Sequence, residues 1–117
     1  MPELSKASLI GTWSLYKMTL DDIPWRIKSY GQLIYTSDGS MSVGINGSDP
    51  EYSWDDNCIF YAGKFVVDGD TIIHKVVVSS SKEKIGEDLI RNAKLENGLL
   101  TLTAETAFGF GKVVWRK

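Results

Sequence analysis

Residues 61–78, YAGKFVVDGDTIIHKVVV, constrain the fold more than any other stretch. Two runs rich in β-branched and aromatic residues flank Asp68-Gly69-Asp70. Glycine takes up the positive φ of a tight reversal without steric penalty, so Asp-Gly between such runs reads as a β-hairpin. In the first run Tyr61, Gly63, Phe65 and Val67 alternate with Lys64, Val66 and Asp68. In the second, Ile72, His74, Val76 and Val78 alternate with Ile73, Lys75, Val77 and Ser79. A period of two sends alternate side chains to opposite faces. Lys64 and Lys75 mark the wet face, so the single histidine, His74, is expected on the dry one.

The same grammar recurs along the chain. Residues 4–10 are expected to form a short helical turn capped by Ser5, with Leu9 and Ile10 plugging one end of a barrel. A strand over 11–18 alternates Trp13, Leu15 and Lys17 against Thr12, Ser14 and Tyr16. Residues 19–30 read as a loop, because Asp21-Asp22 and Pro24 interrupt regular structure and Trp25 stands alone among them. Strands are expected over 31–36 and 41–45, with Met41, Val43 and Ile45 on one face. The 46–57 segment carries Asp49, Glu51, Asp55 and Asp56 and reads as a solvated loop. Tyr52 and Trp54 give it a sharper reading as the lid of a cavity, with a short helix an option over 54–59. Its spacing is not that of an EF-hand. Strands over 88–96 and 99–105 meet at Asn97-Gly98, a second hairpin dipeptide. Gly109 and Gly111 read as a flexible connection to a last strand at 113–116.

About eight short strands, turn signals between them and no long amphipathic helix point to an all-β chain. Short connections favour antiparallel neighbours. An up-and-down meander closed into a barrel leaves no edges. The expectation is one barrel domain over residues 1–117, with an interior that is packed or holds one small ligand. A chain of this length can bury a core without disulfide or metal. With a net charge of −2 there is no basic field, so nucleic acid is not an expected partner. No apolar run is long enough to cross a bilayer, and the first residues lack a signal peptide's basic start and apolar stretch. A cytoplasmic location is the expectation, and the lone Cys58 fits a reducing compartment as a small hydrophobe. One histidine and one cysteine make no zinc constellation, and P-loop, dinucleotide-binding and nucleophile-elbow motifs are missing. Neither cofactor nor metal is expected.

The functional signal lies in strand parity. Over 88–96, Leu89, Arg91, Ala93 and Leu95 share one face, and Asp88, Ile90, Asn92, Lys94 and Glu96 share the other. The polar set belongs outside, so Arg91 lies inside, where a charge is costly unless paired or kept wet. The two strands are sequential, so His74 and Arg91 are expected to line one cavity. Like-charge repulsion would then lower the His74 pKa. An acidic ligand or an internal carboxylate would answer the arginine. Plainer readings stand beside this: His74 as a satisfied core residue, and Arg91 at a barrel end stacked on a tryptophan. Tyr35 and Tyr61 are further polar lining, or packing with a hydroxyl at the rim. Glu105 reads as outward. The candidate binding set is His74, Arg91, Tyr35, Tyr61, Phe65, Met41, Val76 and Trp54.

Several segments carry a resemblance. Gly11-Thr12-Trp13 looks like the Gly-x-Trp signature of lipocalins. In order follow Gly31-Gln32-Leu33-Ile34-Tyr35-Thr36, Asp38-Gly39-Ser40-Met41-Ser42, Tyr61-Ala62-Gly63, and Val67-Asp68-Gly69-Asp70-Thr71. Then come Gly86 with Leu89-Ile90-Arg91, Leu99-Leu100-Thr101-Leu102, and Val114-Trp115-Arg116. The set resembles the bacterial and fungal lipocalin-like domain family over nearly the whole chain. The resemblance implies a β-barrel with an internal cavity. It also implies a histidine after the Asp-Gly-Asp turn and an arginine after the later glycine, here His74 and Arg91. Between Gly47 and Cys58 the chain looks shortened against that pattern.

Three functions follow as expectations. The first is a module binding a small apolar or amphipathic molecule, with a carboxylate or carbonyl at Arg91 and His74. The second is a cofactor-free isomerase, cyclase or hydratase, in which His74 is general acid or base and Arg91 stabilises an oxyanion. The third is a packed barrel acting through its surface, as a homodimer. Trp13 is expected to close one barrel end beneath Arg116 or Arg91.

Overall fold

The structure, a computed structural model, describes residues 4–117. Nine strands form one sheet: β1 (Gly11–Leu20), β2 (Ile23–Pro24), β3 (Lys28–Tyr35), β4 (Ser40–Ser48), β5 (Cys58–Asp68), β6 (Thr71–Ser79), β7 (Asp88–Glu96), β8 (Leu99–Thr106) and β9 (Gly109–Arg116). Each pairs antiparallel with its neighbours, and β9 returns to β1. β1 and β3 to β9 therefore close an eight-stranded barrel, and β2 is one extra short strand on β1. Closure leaves no long unpaired edge.

The hairpins form where the dipeptides placed them. At the β5–β6 turn Asp68 faces Thr71, and Gly69 alone of the two loop residues has positive φ, +59°, the requirement of a type II′ turn. At the β7–β8 turn Asn97 and Gly98 are both positive, at +55° and +76°, as type I′ demands. The helical turn, α1 (Lys6–Leu9), starts at a reciprocal cap in which Ser5 and Ser8 side chains each accept the other's backbone N–H. It drives Leu9 fully into the barrel end. The Trp13 indole donates to the Leu9 carbonyl at 2.8 Å and joins that plug to β1. The cation above Trp13 is Lys117, 5.0 Å from the ring, and not Arg116 or Arg91; Arg116 lies over Tyr16 instead.

Inward positions on the eight barrel strands meet in one core that includes Trp13, Leu33, Val43, Ile72, Leu100 and Trp115. Two bulges shift the alternation. Leu15 faces Trp115 and Lys17 faces Val114, so Tyr16 is an extra residue in β1. Lys17 then turns to solvent and Met18 packs against the core. Likewise Ala62 faces Val78 and Gly63 faces Val76, so Val77 is extra in β6. Val78, expected inside, is 52% exposed as a result. Gly63 sits at that bulge, and a Cβ there would collide with the Lys75 carbonyl.

Three expected loops are more ordered than their composition suggests. Residues 19–30 contain the end of β1, all of β2 and the start of β3. Residues 46–48 extend β4, and the turn of 3-10 helix η1 (Asp55–Asn57) precedes β5. Gly109 to Gly111 belong to β9, where Phe110 N–H donates to the Asp21 carboxylate at 2.8 Å.

Candidate functional site

Adjacent strands β3, β4, β5 and β6 bring Tyr35, Met41, Tyr61, Phe65, His74 and Val76 to the inner wall. Phe65 is the cross-strand partner of His74, and its ring lies 4.5 Å from that of Tyr35, tilted by 49°. Tyr35 and Tyr61 reach His74 from two sides. The Tyr35 hydroxyl is 2.6 Å from Nε2, and the Tyr61 hydroxyl is 2.8 Å from Nδ1. All three side chains are buried. The tyrosine hydroxyls thus lie at the centre of the barrel and not at its rim.

Burial holds this trio uncharged. Loss of water, then the nearby Arg91 charge, pushes the His74 pKa down to about 3. Burial raises the Tyr61 pKa to about 12, against the pull of Arg91. Tyr35 is raised well above its ordinary value by burial and then by Tyr61, again opposed by Arg91. A neutral imidazole has one N–H donor and one lone-pair acceptor. One tyrosine therefore donates to His74, and the other accepts from it. Both nitrogens are engaged, so His74 has none left to act on a substrate while these bonds persist.

Arg91 is the second component. It lies on β7 opposite Ile72, on the inward, half-buried face with Leu89, Ala93 and Leu95. Its Nη1 makes one long hydrogen bond, 3.5 Å to the Ile90 carbonyl, and both its charge and a side-chain hydrogen bond act on the Tyr61 hydroxyl. Among the described residues it has no carboxylate partner. The two ion pairs there are Lys75–Asp88 and Lys94–Glu96, both on the exposed surface. It stacks on no tryptophan; the stacked arginines are Arg26 and Arg116. Lys84, in the 3-10 turn η2 (Lys82–Lys84), places Nζ 5.8 Å from the Tyr61 ring centroid. Its pKa is lowered by burial and then by Arg91. Two cations therefore converge on Tyr61, and no carboxylate among the described residues pairs with either of them.

Trp54 lies apart from this group, 68% exposed beyond β4. The barrel end opposite α1 is closed instead by a clasp that alternation could not reveal. The Arg26 guanidinium lies between the Trp25 and Tyr52 rings, 4.2 and 3.7 Å from their centroids. It donates to Asn57 Oδ1 and to the carbonyls of Trp25 and Asp56, at 2.7 to 2.8 Å. Gly47 continues the inner face of Met41, Val43 and Ile45 beneath it, where any side chain would collide with Arg26 and Trp25. The available signal was Trp25-Arg26 inside a segment otherwise read as loop.

Two open grooves lie elsewhere. One is between α1 and the end of β5, beside Lys6 and Val67; the other is on the outer face of β3 to β5, beside Tyr30 and Phe60. No helix among the described residues is long and apolar enough to cross a membrane. Fold and site together define a closed eight-stranded antiparallel barrel with an uncharged Tyr–His–Tyr centre flanked by two cations. No protein-family model and no curated protein matches the chain.

Proposed function

We propose that this is a lipocalin-like binding barrel, which takes a small apolar or amphipathic molecule with its polar end at Arg91 and Lys84. The observation that carries this reading is the pair of half-buried cations beside Tyr61 with no acidic partner among the described residues. Placing two like charges together away from water is unfavourable in the free protein. A negatively polarised ligand group would relieve that repulsion, and an apolar remainder would suit the surrounding core. In this reading His74 braces the two tyrosines and performs no proton transfer to a ligand, because both its nitrogens are occupied. Native mass spectrometry of protein purified from its own host tests the proposal. A retained small molecule released on denaturation is the expected result. Repeated purification without one, together with no thermal stabilisation by any amphipathic molecule, would remove the binding reading.

A further inference from the structure

The hydrogens around His74 do not balance, and the imbalance specifies a ligand chemistry. Tyr35, Tyr61 and neutral His74 bring three hydrogens to two hydrogen bonds. One hydroxyl hydrogen is left over in either tautomer. If Nε2 carried the proton, Tyr35 would accept and its own hydrogen would have no acceptor, at a site 1% exposed where His74 is its hydrogen-bond partner. A buried donor without a partner is strongly disfavoured. Tyr35 therefore donates to Nε2, and Nδ1–H donates to the Tyr61 oxygen at 2.8 Å. The spare hydrogen belongs to Tyr61, the less buried tyrosine, which faces Arg91 and Lys84.

Tyr61 O–H, the Arg91 guanidinium, which also hydrogen-bonds the Tyr61 oxygen, and the Lys84 ammonium then form a cluster of donors with no carboxylate acceptor among the described residues. Resting on the binding reading above, the geometry points to a carboxylate as the ligand's polar end. One carboxylate oxygen accepts from Tyr61 and the other from Arg91, with Lys84 adding charge. A neutral carbonyl could answer one donor but not the two positive charges. Tyr35 and His74 act as positioning residues: they touch no ligand, and they fix the tautomer that keeps Tyr61 a donor.

Calorimetric titration with matched probes tests this. Octanoate should bind the whole protein roughly tenfold or more tighter than methyl octanoate or octylamine, the difference set by charge-assisted hydrogen bonds. Arg91→Gln should weaken octanoate binding far more than ester binding and so remove most of that preference. Tyr35→Phe frees Nε2, allows the tautomer to reverse and turns the Tyr61 hydrogen onto Nδ1. It should therefore lower the octanoate-to-ester ratio without direct contact, which a role in packing alone would not do. Tyr61→Phe should lower the same ratio and supplies an independent readout if Tyr35→Phe folds poorly. Equal binding of acid and ester to the native protein would overturn the inference and leave the barrel a binder of apolar tails. A preference for octyl phosphate over octanoate would overturn the carboxylate assignment. Binding of no probe would remove this inference and the binding reading together.

Discussion

Arg26 and Arg91 occupy the same barrel and are treated in opposite ways. Arg26 is held on both faces by aromatic rings and bonded through Nε and both Nη atoms. Arg91 has one long backbone hydrogen bond, a further hydrogen bond to the Tyr61 hydroxyl, and no ring over it among the described residues. Its neighbours are a second cation and groups whose ionisation it perturbs. A guanidinium presents five donors. Where folding uses most of them, the residue is architecture, as in the clasp that ties residues 25 and 26 to the loop before β5. Where folding leaves them unanswered and half-buried, the arrangement has a cost that a ligand can offset. Arginine content alone would not separate the two; the satisfaction of each donor does.

The largest expected effect concerns the trio that Arg91 overlooks. His74 has a pKa of about 3 in the folded chain and near 6.5 unfolded. Its contribution is therefore fully present above about pH 6.5 and is lost as pH falls toward 3, at up to about 1.4 kcal/mol per pH unit. The total is on the order of 5 kcal/mol. On the alkaline side, Tyr61 at about 12 loses its contribution as pH rises above the ordinary tyrosine value of about 10. Urea unfolding across this range should show a steeper acid limb for the native chain than for His74→Gln. Identical limbs would mean that the site admits a proton readily and is not sealed.

Next in size is Arg26→Ala. It removes two cation–π contacts and three hydrogen bonds, and it leaves Asn57, itself buried, without its Arg26 partner. A loss of about 2 to 4 kcal/mol in unfolding free energy is expected. A loss below about 0.5 kcal/mol, the range of ordinary surface substitutions, would show that the clasp is an incidental surface contact.

The two arginines also differ in how far each was legible in the sequence. Arg91 and His74 could be placed inside because each alternates with charged or polar neighbours that must face water: Lys75 beside His74, and Asn92 two positions from Lys94. The barrel was legible from alternation and from Asp-Gly and Asn-Gly at the hairpins. The bulges were not, because Tyr16 and Val77 are ordinary strand residues and an inserted one leaves no compositional mark. Hence simple alternation puts Val78 on the inner face, and the bulge turns it outward. The Tyr35–His74–Tyr61 contact depends on register across β3 to β6, a non-local property. The clasp is equally non-local, joining Arg26 to Asn57 across 31 positions. Alternation tells which face a side chain takes, and not which partner it meets there.

The smallest expected effect is the one that divides the two arginines most sharply. Arg91→Gln removes a charge with no anionic partner among the described residues and relieves its push on Lys84 and His74. Unfolding free energy near neutral pH should change by no more than about 0.5 kcal/mol, or should rise. Burial remains the larger cause of the low His74 pKa, so the acid limb should persist and only shorten slightly at its low-pH end. A loss comparable to that of Arg26→Ala would make Arg91 a second structural arginine, and the donor cluster at Tyr61 would then have no claim to a ligand. Unchanged stability, with the carboxylate preference lost, would place the two residues in different classes: one holds the barrel shut, and the other is held ready inside it.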